Sequence, residues 1–275
     1  MTRAFSLSYL TCLDEPPPKA VVIASQAGYD FVGFRLLPAA PGGLAHNLMD
    51  DPGSLAETLT AMRDTGMRVF DLELIRLNDR FKAQDYLRFF EVGAKLGAHS
   101  VLVAGDDADE ARSIGSFGAL CRAAAQFGLS ADLEFMPQTQ VRDVAAALRI
   151  LEQAGQPNSA LIVDALHFAR CGSSLAELAA IPRRWMNYLQ ICDAPAEIPA
   201  SLDGLNYTAR RERLLPGEGE IDLVEIFGAL PRDLPISVEI PNEKQAPAHG
   251  PIGWARRALD ASKALLANVP ASQTA

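Results

Sequence analysis

The chain has 275 residues, 49% of them apolar and 21% charged, with 34 acidic side chains against 25 basic ones and a formal charge of −9. That length allows one large or two small domains and a sizeable core. The negative balance disfavours a nucleic-acid partner, and no run of 18 uninterrupted apolar residues is present to span a membrane. Cys12, Cys121, Cys171 and Cys192 are scattered with no C-x-x-C pair, a pattern that suggests neither a zinc knuckle nor a disulfide framework and fits a reducing compartment. The opening stretch, MTRAFSLSYLTCLDEPPP, is a poor signal peptide, so a cytoplasmic location is expected. A homo-oligomer is left open.

In chain order, β-rich runs are expected at 4–10, 31–36, 69–74, 100–104, 130–135, 160–164, 186–191 and 235–240, and helical patterns at 18–27, 54–65, 84–96, 108–127, 140–154, 174–180, 221–229 and 251–267. Five helical runs end in a glycine, at Gly28, Gly66, Gly97, Gly128 and Gly155, each closely followed by an apolar run. Glycine takes the left-handed conformation that ends a helix without a Cβ penalty. The spacings between these glycines are 38, 31, 31 and 27 residues, the length of one β-α unit. Eight such units predict a single-domain (β/α)8 barrel, a TIM barrel, over 1–268, with a frayed tail at 269–275. A doubly wound open sheet is the alternative, weakened because no G-x-G-x-x-G follows the first strand.

In such a barrel the reactive groups sit at the C-terminal ends of the strands. Those ends carry Arg35, Glu73, the pair Asp106 and Asp107, Glu134 in ADLEFMP, Asp164 and His167 in LIVDALH, Gln190 and Asp193 in MNYLQICDAP, and Glu239 in ISVEIPN. A lone acid at a strand end is ordinarily a helix cap or a solvated loop residue. Four polar groups at successive positions of a closed ring, Glu134, Asp164, Gln190 and Glu239, are another matter. Three carboxylates in one site repel unless a cation compensates them. A divalent metal would do so, Mn²⁺ or Mg²⁺ by the oxygen-rich ligand set, Zn²⁺ or Co²⁺ if a histidine joins. His167 would then face whatever the metal holds. Glu73 and Arg35 are further candidates for substrate contact, whereas His46, His99 and His249 read as surface or packing residues. The stretch LLPGEGEIDL is read as a turn at Pro216, Gly217 and Gly219, with Asp222 or a neighbour starting the next helix.

Taken together and in this order, LEFMP, VDALHFARCG, LQICDAP, RLLPGEGEIDL and SVEIPN resemble the xylose isomerase-like TIM barrel superfamily, the sugar phosphate isomerase/epimerase group. The resemblance implies a metal held by Glu134, Asp164 and Glu239, with Gln190 where the family's epimerases have histidine. It implies that His167, the histidine of D-x-x-H, contacts substrate oxygens. The epimerases also carry an arginine after the third ligand. Ala196 lies near that point here, and Arg213, just before the P-G-x-G turn, is the substitute.

The chemistry implied is proton removal beside a carbonyl through an enediolate, with Glu134 and Glu239 as acid and base, giving a sugar isomerase or epimerase. The same enolate with a β-leaving group makes a dehydratase or lyase on a keto acid or 3-oxo sugar. An anionic substrate of that kind would favour the arginines Arg35, Arg76, Arg210, Arg211 and Arg213. An abasic-site endonuclease needs more histidines than four and a basic face, and a barrel that only binds its ligand would follow if the change to Gln190 removed catalysis.

Overall fold

In the computed structural model, which describes residues 3–40 and 42–270, all five glycines that end the expected helical runs have positive φ, from 57° at Gly155 to 94° at Gly28. Each lets the chain reverse and enter the next strand within a few residues. The strands are β1 (Phe5–Leu7), β2 (Phe31–Arg35), β3 (Arg68–Leu77), β4 (Ser100–Gly105), β5 (Ser130–Glu134), β6 (Ser159–Asp164), β7 (Met186–Ile191) and β8 (Ile236–Val238). All pair in parallel and in chain order, and β8 closes on β1, which makes an eight-stranded barrel. The helices are α1 (Pro17–Ala27), α2 (Pro52–Thr65), α3 (Leu87–Leu96), α4 (Glu110–Ala125), α5 (Val144–Ala154), α6 (Ala165–Cys171), α7 (Leu175–Ala179), α8 (Leu202–Arg211), α9 (Leu223–Gly228) and α10 (Ala246–Ala267). The TIM barrel expected from the sequence is therefore the fold. Among the described residues no helix is long and apolar enough to cross a membrane.

Two helices were not expected. α6 begins directly at the end of β6, with the Asp164 side chain capping it by accepting from the N–H of His167 at 3.0 Å. α8 has one buried residue, Ala209, and lies between β7 and β8, where a single helix at 221–229 was expected. β1 and β8 are shorter than expected, and Ser8 and Glu239 lie just past their ends, at the barrel mouth. α10 is assigned from Ala246, but Gly250 breaks its helical geometry just before Pro251, where the regular helix was expected to start. Val269, assigned to the expected tail, is 6% exposed and packs on the core, while 271–275 lie outside the described residues.

The side-chain alternation of the strands divides the apolar residues into two sets. A large core fills the layer between strands and helices, and a smaller one, including Phe31, Phe70, Leu102, Ile162 and Tyr188, plugs the barrel. Polar groups are interleaved with the plug. Asp132 is fully buried and accepts from Ser130 Oγ at 2.5 Å and Asn187 Nδ2 at 3.0 Å. Asp71 is fully buried with no hydrogen-bond partner for its side chain, and burial, reinforced by Glu73, pushes its carboxyl well above the usual range. Gly33 makes room for it, since a Cβ there would lie 2.7 Å from Asp71 Oδ1.

The segment after β7 is held by one side chain. Asp193 accepts from the backbone N–H of Ala194 (2.8 Å), Gly217 (2.9 Å), Gly219 (3.0 Å) and Ile221 (3.1 Å). Its own backbone exchanges two hydrogen bonds with Leu214. The Pro216–Gly219 stretch is thus a turn wound around a carboxylate, and Asp222 caps α9, as the sequence reading had it. A Cβ on Gly219 would come within 2.3 Å of Asp193 Oδ1. Asp193→Ala strips acceptors from four N–H groups and is expected to lower stability by about 2–4 kcal/mol, with Gly219→Ala also destabilising. Urea unfolding checks this; a wild-type midpoint in Asp193→Ala would show that the turn does not need its carboxylate.

Candidate active site at the barrel mouth

Register brings the strand-end groups into one ring. Arg35 lies beside Glu73, Ala104 beside Glu134, Asp164 beside Gln190, and Gln190 beside Ser237, with Glu239 two residues on, just past the end of β8. Glu134, Asp164, His167, Gln190, Arg213 and Glu239 are all at most 4% exposed.

Arg213 sits at the middle of this ring. Its Nη1 donates to Asp164 Oδ2 at 2.5 Å, its Nη2 lies 2.9 Å from Glu239 Oε2, and its Nε donates to the Ala209 carbonyl at 2.7 Å. The backbone on either side is fixed, with the Arg213 N–H donating to the Pro241 carbonyl and Asn242 Nδ2 donating to the Arg213 carbonyl, both at 2.9 Å. Two anions so close outweigh the loss of hydration, and Arg213 stays charged. Burial alone would raise Asp164; Arg213, His167 and the hydrogen bonds overcome it, and Asp164 titrates below the usual carboxylate range.

Glu239 has a fuller set of partners. Ser8 Oγ donates to its Oε1 at 2.8 Å and Gln190 Nε2 to the same oxygen at 3.2 Å. Burial pushes it up to about 7, Arg213 opposes, and Glu73 adds to the rise. The same Ser8 hydroxyl lies 3.3 Å from Glu73 Oε1 and shares its one hydrogen between the two carboxyls, and the other oxygen of Glu73 takes Arg35 Nη2 at 2.5 Å. Glu73 is thus a buried ion-pair partner and is not among the residues lining the cavity. Ser8 went unnoticed in the sequence because the first strand was expected to run through it.

Glu134 is the exposed nerve of the ring. Its Oε1 is buried with no hydrogen-bond partner, and His167 Nε2 lies 3.8 Å away, too far for a hydrogen bond. Burial lowers His167 to about 4, so the imidazole is neutral near pH 7. Burial, then Asp164 and Glu239, push Glu134 well above the usual range.

Whether these residues suit a metal can be judged from charge and unmet polar atoms. Glu134, unlike Asp164 and Glu239, has no guanidinium partner among the described residues. Ligand atoms of Glu134, Asp164 and His167 lie within 4.8 Å of one another, and the Gln190 Oε1 is a second buried acceptor without a partner. The donor set therefore fits a divalent ion. Of the expected ligands, Glu134 and Asp164 stand together with His167, while Glu239 is engaged by Arg213, Ser8 and Gln190.

A cavity of about 40 Å³ opens on Glu134, His167, Arg213 and Glu239, and its outer wall carries Arg35, Arg76 and Arg210. A groove of about 470 Å³ adjoins it, sharing Leu10 and Arg210. The hollow of about 520 Å³ at the opposite end of the barrel is lined by His99, Asn158 and Asn187 with no carboxylate. The remaining strand-end acids serve elsewhere: Asp106 pairs with Arg76 and Asp107 with Arg112. His46 packs on Tyr9, His99 on Phe70 and His249 on Trp254.

Removing one partner of a buried ion pair leaves the other uncompensated. Arg213→Met strands Asp164 and Glu239 and is expected to destabilise by about 3–5 kcal/mol. Asp164→Asn keeps the cap acceptor and leaves Arg213 with Glu239, so the smaller loss is expected there. Denaturant unfolding at neutral pH measures both, and a wild-type midpoint for Arg213→Met would remove the ion pair from the determinants of the fold.

Among curated proteins, none matches the chain by sequence. Solved structures do match in fold. A xylose isomerase-like TIM barrel/4-hydroxyphenylpyruvate dioxygenase fusion protein superposes with a TM-score of 0.81 at 19% identity over 100% of this chain, which spans 46% of that protein's length. The IOLI protein, crystallised with a zinc atom, gives 0.80 at 18% identity over 97% of this chain and 99% of its own. D-allulose 3-epimerase from Methylomonas sp., in complex with D-allulose, gives 0.69 at 19% identity, covering 96% and 98% of the two chains. A probable 3-DHS dehydratase, AsbF of Bacillus anthracis, gives 0.72 at 14% identity, covering 94% and 98%. At these identities the likeness is one of fold. A sequence model of one family spans residues 21–265, and on that match the chain belongs to the xylose isomerase-like TIM barrel family.

Proposed function

We propose that this protein is a divalent-metal-dependent isomerase or epimerase of a small sugar-like substrate, moving a proton at a carbon beside a carbonyl. The observation that carries the reading is the pair of buried carboxylates, Glu134 and Glu239, both lining one cavity beside a neutral imidazole and a guanidinium. Support also comes from the fold it shares with an epimerase, and from the zinc atom in another relative.

Glu134, Asp164 and His167 would hold the metal, with the Gln190 carbonyl oxygen as a further donor; Mn²⁺ and Mg²⁺ suit the oxygens, Zn²⁺ and Co²⁺ the imidazole. When bound, the ion supplies Lewis acidity that polarises the carbonyl. The chain's own residues do the rest. One of Glu134 and Glu239 takes the α-proton and the other returns one, and this requires their protonation states to differ. Their surroundings differ accordingly: Glu239 is held by Ser8, Gln190 and Arg213, whereas Glu134 has an oxygen with no partner. His167, neutral, orients a substrate oxygen. Arg213 keeps Asp164 and Glu239 in position and presents positive charge where the oxyanion develops.

A second reading is elimination on the same scaffold. It is favoured by the arginines on the cavity wall, which suit an acidic substrate, and by the fold shared with a dehydratase.

Incubation with a panel of ketoses and keto acids in D₂O, followed by ¹H NMR, is expected to reveal loss of an α-proton signal from the substrate. Glu239→Gln should slow that loss by about 10²–10⁴-fold with the fold intact. Turnover of any panel member with neither solvent exchange nor an α-deuterium isotope effect would sink proton transfer as the shared step. The metal is checked separately. Calorimetry with Mn²⁺, Co²⁺ and Zn²⁺ should give binding to the wild type, loss in Glu134→Gln, and tightening in Gln190→His, because imidazole is the stronger donor. No binding by the wild type to any of the three would overturn the metal assignment.

A further inference from the structure

Three guanidinium groups reach the outer wall of the reaction cavity from three different elements: Arg35 from the end of β2, Arg76 from β3 and Arg210 from the last turn of α8. Positive charges this close repel, and each of Arg76 and Arg210 is disfavoured in its charged form by burial and then by its arginine neighbours. Arg35 is only partly compensated within the protein and Arg210 is not compensated at all. Arg35 gives one nitrogen to Glu73 and faces the Tyr9 ring at 5.5 Å, but it is 8% exposed and its Nε is buried with no hydrogen-bond partner. Arg76 pairs with Asp106 and donates to the Ala39 carbonyl at 3.2 Å. Arg210 has no hydrogen bond or ion pair to any described residue, although its immediate neighbour Arg211 pairs with Glu243 outside the cavity. A half-buried unpaired cation next to a buried unsatisfied guanidinium N–H is a costly arrangement in an empty protein and a favourable one around an anion.

We infer that Arg35, Arg76 and Arg210 form an anion-binding subsite for the carboxylate of the substrate, so that the molecule processed at Glu134 and Glu239 is a hydroxy or keto acid and not a neutral sugar. This rests on the reading of the cavity as the substrate pocket and narrows its substrate class. The three arginines line the same cavity as Glu134 and Glu239, which puts a bound anion within a small molecule's length of the reacting carbon, as the carboxylate of a hydroxy or keto acid is; guanidinium forks also take a phosphate, and the binding test separates the two. The adjoining groove that shares Arg210 leaves the remainder of the molecule a way out toward solvent.

Three small polyols that differ only in one terminal group make the test: glycerate, glycerol and glycerol 3-phosphate. Their dissociation constants are measured by calorimetry on metal-stripped protein, so that chelation by a bound ion plays no part. Glycerate is expected to bind at least about tenfold more tightly than glycerol and more tightly than glycerol 3-phosphate. Arg210→Gln should abolish that advantage with an unchanged unfolding midpoint, and Arg149→Gln, an exposed arginine paired with Glu110 and lining neither the cavity nor the groove, should preserve it. Equal affinity for glycerate and glycerol, or an advantage that survives Arg210→Gln, would overturn the subsite. Tighter binding of glycerol 3-phosphate would overturn the carboxylate in favour of a phosphate. Because binding is read without turnover, failure of solvent exchange with glycerate selectivity intact would strike the proton-transfer reading alone.

Discussion

A guanidinium group at 2% exposure is tolerable only where anions surround it, and Arg213 has Asp164 on one side and Glu239 on the other. Much of the barrel mouth can be understood as the support for that triangle. Asp164 is placed by the end of β6 and kept there by capping α6. Glu239 is placed by the end of β8 and kept there by Ser8 and Gln190. Arg213 belongs to no strand, so its position has to be made by the loop after β7, and this is the work of Asp193, whose six hydrogen bonds to the loop, four through the side chain and two through the backbone, replace the ladder a strand would have had. The two carboxylates that the ring would otherwise force apart are thereby held close without a bound ion, and the acceptors left over are those of Glu134 and Gln190.

The chain's charge distribution follows a similar division. A formal charge of −9 is spread over the whole molecule, yet four arginines, Arg35, Arg76, Arg210 and Arg213, line a cavity of about 40 Å³. Deeper in the barrel, below the ring, Asp71 and Asp132 are buried, and burial raises both carboxyls and so favours their uncharged forms. Positive charge gathered at a small buried cavity acts most strongly where water is excluded.

What could be read from the sequence was what depends on neighbours along the chain. Helix-ending glycines and apolar runs are local signals, so the β-α cycle and all eight strands were legible, and strand periodicity then pointed Glu134, Asp164, Gln190 and Glu239 to the mouth. Less legible was anything set by contacts across the ring. Gln190 looked like a metal ligand because of its position, but its amide nitrogen serves Glu239 and only its oxygen is left over. Arg213 looked like a distant substitute for a substrate contact, because nothing near it in sequence reveals that Asp193 folds its loop inward. Ser8 was hidden inside a strand that ends one residue earlier. α8 was missed because one helix, at 221–229, already filled the stretch between the seventh and eighth strands in the expected cycle.

That same helix has a consequence for how such a protein can change. α8 is attached through polar contacts at its margins, Arg170 to Thr208 and Arg211 and Tyr207 to Glu243, with Ala209 its single buried residue. Exchanging its outward residues disturbs neither the plug of the barrel nor the layer of helices around it. It nonetheless supplies Arg210 to the cavity wall and the carbonyl of Ala209 to Arg213. A lightly packed segment thus helps to decide what charge an incoming molecule meets, so a lineage of such barrels could drift from acidic to neutral ligands by rewriting a ten-residue patch while the proton-handling ring beneath stayed as it was.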